Sequence, residues 1–272
     1  LEGDDPASLV VAQPTKLQNY TQISEKAVQT SGTAEAVDWA GRKSSQAYQL
    51  AKRAKEIKRD MEFMLTGEDV ASAGSAAGGA AGAPEARTTG AINSWLGDAV
   101  AGDSNIIDGP TAAAVAHAAT DGTTVKAASG AAVVLTMGML NTCVEQIWKA
   151  GGSPDIIMCD SSLKVKMSSL AGSVVADIVS NHDKASPAAA INSVDVIVTD
   201  FGTFKVVPNR FCLTDQLYVL DYDYWSVDYL RPFQTETLAK TGDSIKQMMI
   251  AEYGLRGKNG QASGSVIGVK AA

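Results

Sequence analysis

The sequence predicts an α+β protein in which a long polar strand and a long helix precede a more compact α/β region. Residues 15–31 alternate without an apolar face, residues 35–65 contain no proline and carry a helical stripe, and the middle of the chain alternates between helix and strand patterns. With 272 residues and 45% hydrophobic content, the chain can form one large domain or two smaller ones. These patterns indicate elongated elements attached to a core.

The polar strand has little apolar surface to bury. Neither face of residues 15–31 can cover a core, and fully extended they would span roughly 55 Å. A lone strand is not stable in water, and no partner strand is evident directly downstream. Because the chain begins at Leu1 without a methionine, we expect its partner strand upstream of this sequence, in a hairpin that projects from the body.

The long helix is predicted to run without interruption from Glu35 to Leu65. Thr33 can cap it, and only Gly41 interrupts residues that favour helices. A helix of this length measures about 46 Å, close to the diameter of about 48 Å expected for a globule of this chain length. We therefore predict a spine that crosses a flat body.

Residues 52–59 of this helix are rich in basic residues, which within that stretch only Glu56 opposes. They are Lys52, Arg53, Lys55, Lys58 and Arg59. Two interpretations stay open. The residues form either a solvated face, or a face turned toward a polyanion or an acidic neighbouring subunit.

For the rest of the chain, the sequence predicts short helices and strands joined by turns. Residues 71–86 are rich in glycine and alanine and indicate a flexible linker. The stretch "TMGMLNTCVEQIWKAGG" predicts a helix that ends at Gly151, and "DIIMCD" predicts a short buried strand. A hairpin is predicted around Phe201-Gly202, and two strands are predicted around the turn "GKNGQASG".

The composition disfavours several classes of function. The net charge of −7 argues against general nucleic-acid binding, which needs a basic surface. Cys143, Cys159 and Cys212 are odd in number and far apart, which predicts buried free thiols in a reducing compartment. His117 and His182 have no partner at metal-ligand spacing, so we expect no metal and no cofactor. No apolar run approaches the length of a membrane span, about 18 residues.

Two short motifs match those of serine enzymes that interact with penicillin. Ser161 to Lys164 matches S-x-x-K, and Lys240-Thr241-Gly242 matches K-T-G. One S-x-x-K match is what chance gives at this composition, and the S-x-N element expected between the two motifs is missing. We therefore expect no enzyme activity and no catalytic residue, and a serine acyl-transferring enzyme remains an alternative.

Four stretches of sequence, spread over most of the chain, together resemble a known protein family. They are "NYTQISEKAVQTSGTAEAVDWAGRKSSQAYQLAKRAKEIKRDMEF", "ATDGT", "IWKAGGSPDIIMCDSS" and "ETLAKTGDSIKQMMIAEYGLRGKNGQASG", in this order. With them the sequence resembles the major capsid (head) proteins of tailed bacteriophages. The resemblance implies the Hong Kong-type capsid fold, an α+β fold with an extended β loop, a long spine helix, a peripheral domain and an axial α/β domain. It implies that residues 1–34 are part of the extended loop, with the N-terminal arm missing. Residues 35–90 would hold the spine helix of the peripheral domain and a Gly/Ala linker. Residues 91–225 would form the axial domain, and residues 226–272 would return to the peripheral domain as strands.

The resemblance also implies a structural function. The chain would self-assemble into hexamers and pentamers of an icosahedral head around double-stranded DNA, in a virion assembled in the host cytoplasm and without a membrane. Portal, scaffold and decoration proteins are further expected partners. Because the polar strand lacks a core face, we expect it to contact a neighbouring subunit, through Tyr20, Gln22, Ile23, Glu25, Lys26 and Val28. The basic residues of the helix would face the genome, and an encapsulin-like or tail-tube shell protein is the alternative.

Overall fold

Two β-sheets organise the computed structural model, which describes residues 16–38, 40–41, 43–75, 84–97, 104–117, 121–179 and 196–272. The helices are α1 (Gly32–Ala36), α2 (Ser45–Thr66), α3 (Met137–Lys149) and α4 (Ser161–Val179). The strands are β1 (Gln22–Ser31), β2 (Ile106–Asp108), β3 (Ala113–Ala114), β4 (Val133–Val134), β5 (Ile156–Cys159), β6 (Val196–Thr199), β7 (Gly202–Pro208), β8 (Gln216–Leu220), β9 (Trp225–Thr237), β10 (Ser244–Gly257), β11 (Gly264–Ile267) and β12 (Val269–Lys270).

A three-stranded antiparallel sheet has the order β1-β10-β9, and α2 packs on one of its faces. The polar strand therefore has a partner within this chain, β10, near the other end of the sequence, and the expected upstream strand stays a prediction for the other side of β1. The expectation that neither face covers a core is wrong. Val28 is only 6% exposed, and Thr30 is buried where its hydroxyl donates to the side-chain oxygen of Gln46. One face of β1 thus belongs to the chain's own core.

The predicted single helix is divided into α1 and α2, so α2 measures about 33 Å rather than 46 Å. The carboxylate of Glu35 causes the division. It accepts hydrogen bonds from the backbone N–H groups of Ser45 (3.1 Å) and Gln46 (3.2 Å), and from the hydroxyl of Ser44. Ser44 then accepts from the N–H of Ala47, so α2 begins with a complete N-cap. Gly41, at φ +83°, allows the chain to turn between the two helices.

A seven-stranded mixed sheet, with the order β3-β2-β11-β8-β5-β7-β6, forms the centre of the molecule. The structure confirms α3, the positive φ of Gly151 that ends it, the buried strand β5, and the β6–β7 hairpin. The two strands predicted around the turn "GKNGQASG" separate: β10 belongs to the three-stranded sheet, whereas β11 pairs with β2 and β8 in the seven-stranded sheet. The predicted domain boundaries, including the return of residues 226–272 to the peripheral domain, stay predictions.

Alternating residues of the central strands supply two hydrophobic cores. In β8, Val219 faces one cluster with α3 and α4, and Tyr218 faces a second cluster with α2 and β10. Ile157 and Met158 of β5 divide in the same way. Both faces are covered at the central strands β2, β5, β8 and β11, which explains why these strands are mostly apolar.

The Gly/Ala-rich segment is described at both ends. Ser72 forms an antiparallel bridge with Thr88, and Ser75 with Glu85. The expectation of a flexible linker falls mainly on residues 76–83, which lie outside the described residues.

Replacing Ile57 by alanine should destabilise the fold by about 2–5 kcal/mol, because its fully buried side chain fills the cluster between α2 and the seven-stranded sheet. Chemical denaturation measures the change. The control is Lys55→Ala, two residues away on the exposed side of the same helix, which should change stability by less than about 0.5 kcal/mol. Equal effects of the two substitutions would contradict the assigned packing of α2.

Candidate assembly surfaces

The outward face of β1 is one candidate surface. Ile23 is 46% exposed, and Glu25 is exposed beside it on the face opposite α2. Lys26 points the other way, and its Nζ lies 2.8 Å from the Asp60 carboxylate of α2. Val28 lies in the chain's own core, so it is not available on this surface. The strand that was expected to be polar on both sides therefore has one inward and one outward face.

Tyr20 and Gln22 lie at the start of this strand, and both are half-buried. The Gln22 side-chain oxygen accepts a hydrogen bond from the N–H of Thr89, 3.4 Å away. Tyr20 lies in the segment before β1, where its hydroxyl is 3.3 Å from the amide nitrogen of Gln18. Of the six residues that were expected to contact a neighbouring subunit, Ile23 and Glu25 are exposed, and the other four are half-buried or buried.

The basic residues of α2 form a second candidate surface. Ile57, Met61 and Leu65, at helical spacing, face the core, and the basic side chains lie on the exposed part of the helix. Arg53 is half-buried and pairs with Glu56. Lys52, Lys55, Lys58 and Arg59 are exposed and form no ion pair with a described residue. These four cations are the basic face of α2.

Two members of the basic face also touch aromatic rings. The Nζ of Lys52 lies 4.6 Å from the centre of the Tyr48 ring, and the Nζ of Lys58 lies 5.9 Å from that of Phe233. Such contacts hold ammonium groups in place while leaving their charge uncompensated. The basic face is therefore an ordered source of positive potential on an acidic chain.

The exposed edge position of β9 was not predicted from the sequence, although "QLYVLDYDYWSVDYL" indicated a β segment that includes its first residues. This strand lies at one side of the three-stranded sheet, and almost all of its residues are exposed in the single chain. Several are large and apolar: Val227, Tyr229, Phe233 and Leu230, the last with 67% exposure. The available signal was Pro232, because a proline inside a strand pattern indicates an edge strand.

The buried carboxylate of Glu252 connects β10 to β9 and to the segment before β1. The side chain of Glu252 in β10 is 5% exposed, and its oxygens lie 2.8 Å from the Thr21 hydroxyl and 2.8 Å from Nε of Arg231. Arg87 forms a second ion pair with the same carboxylate. The Thr21 hydroxyl and the two guanidinium groups hold the pKa of Glu252 below its ordinary value.

Comparison with known proteins assigns the chain to a family. The family model of the SU10 major capsid protein matches residues 1–270. The chain belongs to the SU10 major capsid protein family. It is 30% identical over 272 residues to the major capsid protein of Escherichia phage Phieco32, covering 93% of this chain and 76% of that protein.

Solved structures agree on the fold of this capsid protein. The capsid asymmetric unit of cyanophage A-1(L) has a TM-score of 0.62 at 10% identity, over 91% of this chain and 77% of that chain. The holo-SrpI encapsulin complex of Synechococcus elongatus PCC 7942 has a TM-score of 0.52 at 8% identity, over 93% and 75% of the two chains. The resemblance to tailed-phage major capsid proteins and the predicted α+β capsid fold are confirmed. The capsid protein is a structural component of a virion.

The serine-enzyme motifs lie in different parts of the capsid protein. Ser161 begins α4, where its hydroxyl lies against the carboxylate of Asp160, and Nζ of Lys164 lies 3.4 Å from the carbonyl oxygen of Val206. Lys240-Thr241-Gly242 lies at the turn between β9 and β10, in the other sheet. The two motifs therefore lie on different elements, one at the start of α4 and the other at a turn of the three-stranded sheet.

The histidine and cysteine side chains that the structure describes have surroundings typical of structural residues. His117 is buried, with Nδ1 2.7 Å from the Leu96 carbonyl oxygen and Nε2 3.0 Å from the Thr124 hydroxyl, and His182 lies outside the described residues. All three cysteines are free and buried, as predicted. Within the described ranges, no group of three or more metal-ligating side chains could hold a metal ion. No helix in the described part of the chain is long and apolar enough to span a membrane.

Because of the ion pairs of Glu252, we expect the stability of the protein to decrease at acidic pH. Since the pKa is lowered in the fold, the carboxylate stabilises the protein above the ordinary pKa of 4.5, and this contribution is lost as the pH falls through the lower value of the folded state. At pH 7, Glu252→Gln should cost about 1–3 kcal/mol, and the difference from the unchanged protein should shrink progressively below pH 4.5.

Thermal unfolding of both proteins between pH 3 and pH 7 measures this difference. The matched control is Glu56→Gln, which removes the same charge from the more exposed Arg53–Glu56 pair and should cost less than about 0.5 kcal/mol. A stability difference for Glu252→Gln that does not change with pH would rule out the assigned role of the charge.

Proposed function

We propose that copies of this chain form the hexamers and pentamers of an icosahedral phage head that encloses double-stranded DNA, and that assembly takes place in the bacterial cytoplasm. Membership of the capsid family is the observation that carries the proposal. The exposed β9 supports it, because a long apolar edge strand is an aggregation hazard unless another surface covers it. In a shell, further copies of the chain cover it.

The outward face of β1 is the second contact in this proposal. Ile23 supplies apolar area, and Glu25 supplies a charge next to it. Tyr20, just before the strand, and Gln22 and Lys26 within it are half-buried and stay candidates for the rim of this contact. Each such contact is small, but in a closed symmetric assembly every subunit repeats it, so that weak contacts add up.

The basic face of α2 is proposed to face the packaged genome. The chain carries a net charge of −7, so its surface as a whole repels DNA. Four exposed cations without acidic partners among the described residues form a local exception on one helix. Contacts of this kind neutralise phosphates without reading the base sequence, which suits a container that must accept any DNA.

A second candidate function is an encapsulin-like shell around a cargo other than a genome, which the similarity to the SrpI encapsulin structure supports. Electron microscopy of native particles, followed by measurement of their nucleic-acid content, separates the two functions. Portal, scaffold and decoration proteins are proposed as partners of the head only.

Substituting Ile23 with aspartate should reduce the yield of closed shells at least about tenfold, because a charge would be buried in the contact. Point variants are needed, because β1 is part of the three-stranded sheet and its deletion would unfold the sheet. Sedimentation and electron microscopy measure the shells, and circular dichroism verifies folding. The matched control, Ile23→Val, should assemble normally. If the aspartate variant folds and assembles as well as the control, β1 is not a subunit contact.

Reversing the charges of the basic face should weaken DNA retention. For the purified chain, the slope of log K against log salt for a DNA duplex should fall by about 0.9 for each phosphate contact removed by Lys52→Glu, Lys55→Glu, Lys58→Glu and Arg59→Glu. Lys149→Glu, at an exposed lysine of α3, is the control. Unchanged slopes and normal packaging of DNA in the quadruple variant would show that this face does not contact the genome.

A further inference from the structure

The segment that leads into β1 is held to the body in an unusual way. Residues 16–21 form no strand, and Leu17, the apolar residue at their start, is 54% exposed. From Gln22 onward the chain is held by the ladder with β10 and by the burial of Val28. The preceding segment therefore lacks the apolar anchor that the strand itself has.

Asn19 is the first of two attachment points. Its side-chain oxygen accepts from the N–H of Gly90 (2.9 Å), and its amide donates to the Thr89 hydroxyl (3.0 Å) and to the carbonyl oxygen of Leu255 (2.8 Å). One side chain thus bonds both the 84–91 segment and β10. Only an amide of this length supplies both the acceptor and the donors.

Thr21 is the second attachment point, and it reaches the same two elements. Its hydroxyl donates to the Glu252 carboxylate (2.8 Å), and its carbonyl oxygen accepts from Nε of Arg87 (2.5 Å). Arg87 also pairs with Glu252, and Arg231 of β9 holds the other oxygen of that carboxylate. Arg87 therefore bridges the backbone of the segment and the buried carboxylate.

We propose that Asn19, Thr21, Arg87, Thr89, Arg231 and Glu252 form a releasable polar clamp, which sets the course of residues 16–21 and opens without unfolding β1. The side chains of Arg87 and Arg231 are 39% and 45% exposed, so water can replace their bonds when the clamp opens. Segments held by polar contacts, with few buried apolar groups, open at a lower free energy than the core. The ladder from Gln22 to Ser31 keeps its register during this opening.

The clamp has a consequence for the shell, and this part rests on the proposed function. Subunits in hexamers and pentamers have different surroundings, and a segment that opens as a unit can take a different course in each. The element that would open is small, because its two attachment points, Asn19 and Thr21, are two residues apart and bond the same two elements, β10 and the 84–91 segment. The intrachain clamp itself does not depend on assembly.

A spin label attached at Leu17→Cys tests the clamp in the unassembled full chain. The native thiols do not compete for the label, because burial raises the pKa of Cys143 and Cys212 to about 12 and that of Cys159 to about 11. Arg87→Met removes the bridge to Thr21, and Asn19→Ala removes the first attachment point. Asp228→Asn is the control, because it breaks an exposed ion pair with Arg256 on β9 and β10, the strands that carry Arg231 and Glu252.

In each clamp variant, the mobile component of the spectrum should grow about tenfold relative to the ordered one, the change expected from losing one or two hydrogen bonds. The control variant should leave the spectrum unchanged, and a second label at Ala51→Cys, exposed on α2, should stay ordered in every variant. An unchanged spectrum at residue 17 in both clamp variants would overturn the proposal. Equal mobilisation at residues 17 and 51 would overturn it too, because it would indicate global unfolding rather than local release. Since no shell is needed, failure here is distinct from failure of the assembly proposal.

Discussion

The packing of α2 and β10 against the seven-stranded sheet is the interaction on which the rest of the molecule depends. Ile57 of α2, Tyr253 of β10 and Tyr218 of β8 meet in one cluster, and the Tyr218 hydroxyl donates to the carbonyl oxygen of Thr66 at the end of α2 (2.9 Å). The three-stranded sheet would be a marginal structure alone. Through this cluster it becomes a rigid extension of the central sheet, and the surfaces on β1, α2 and β9 acquire fixed positions.

The sequence was sufficient for elements whose signals are local. The helix α3, its terminating glycine and the β6–β7 hairpin follow from patterns within a few residues of each other. The pairing of β1 with β10 could not be found in this way, because no local pattern encodes a ladder between strands near opposite ends of a chain. Val28 was misplaced for the same reason, since one apolar residue in a polar strand does not identify an inward face.

The break before α2 shows how a single side chain can overrule a propensity pattern. Apart from Gly41, residues 35–65 favour a helix, yet the Glu35 carboxylate satisfies the free N–H groups at Ser45 and Gln46 and so begins a new helix there. The basic residues were located correctly on a helix, because charge and helical spacing are both legible in sequence. Their exposure, and that of β9, depends on which faces the distant strands cover.

The cap formed by Glu35 has a consequence for the chain between the two helices. Since the carboxylate fixes the start of α2, the register of the helix does not depend on the length of the connection between Val37 and Lys43. At Gly41 a side chain would meet nothing within 4 Å, so there is open space at the turn. Loop closure becomes only slowly less favourable as a connection lengthens. We therefore expect this turn of the single chain to accept inserted residues while the fold is kept.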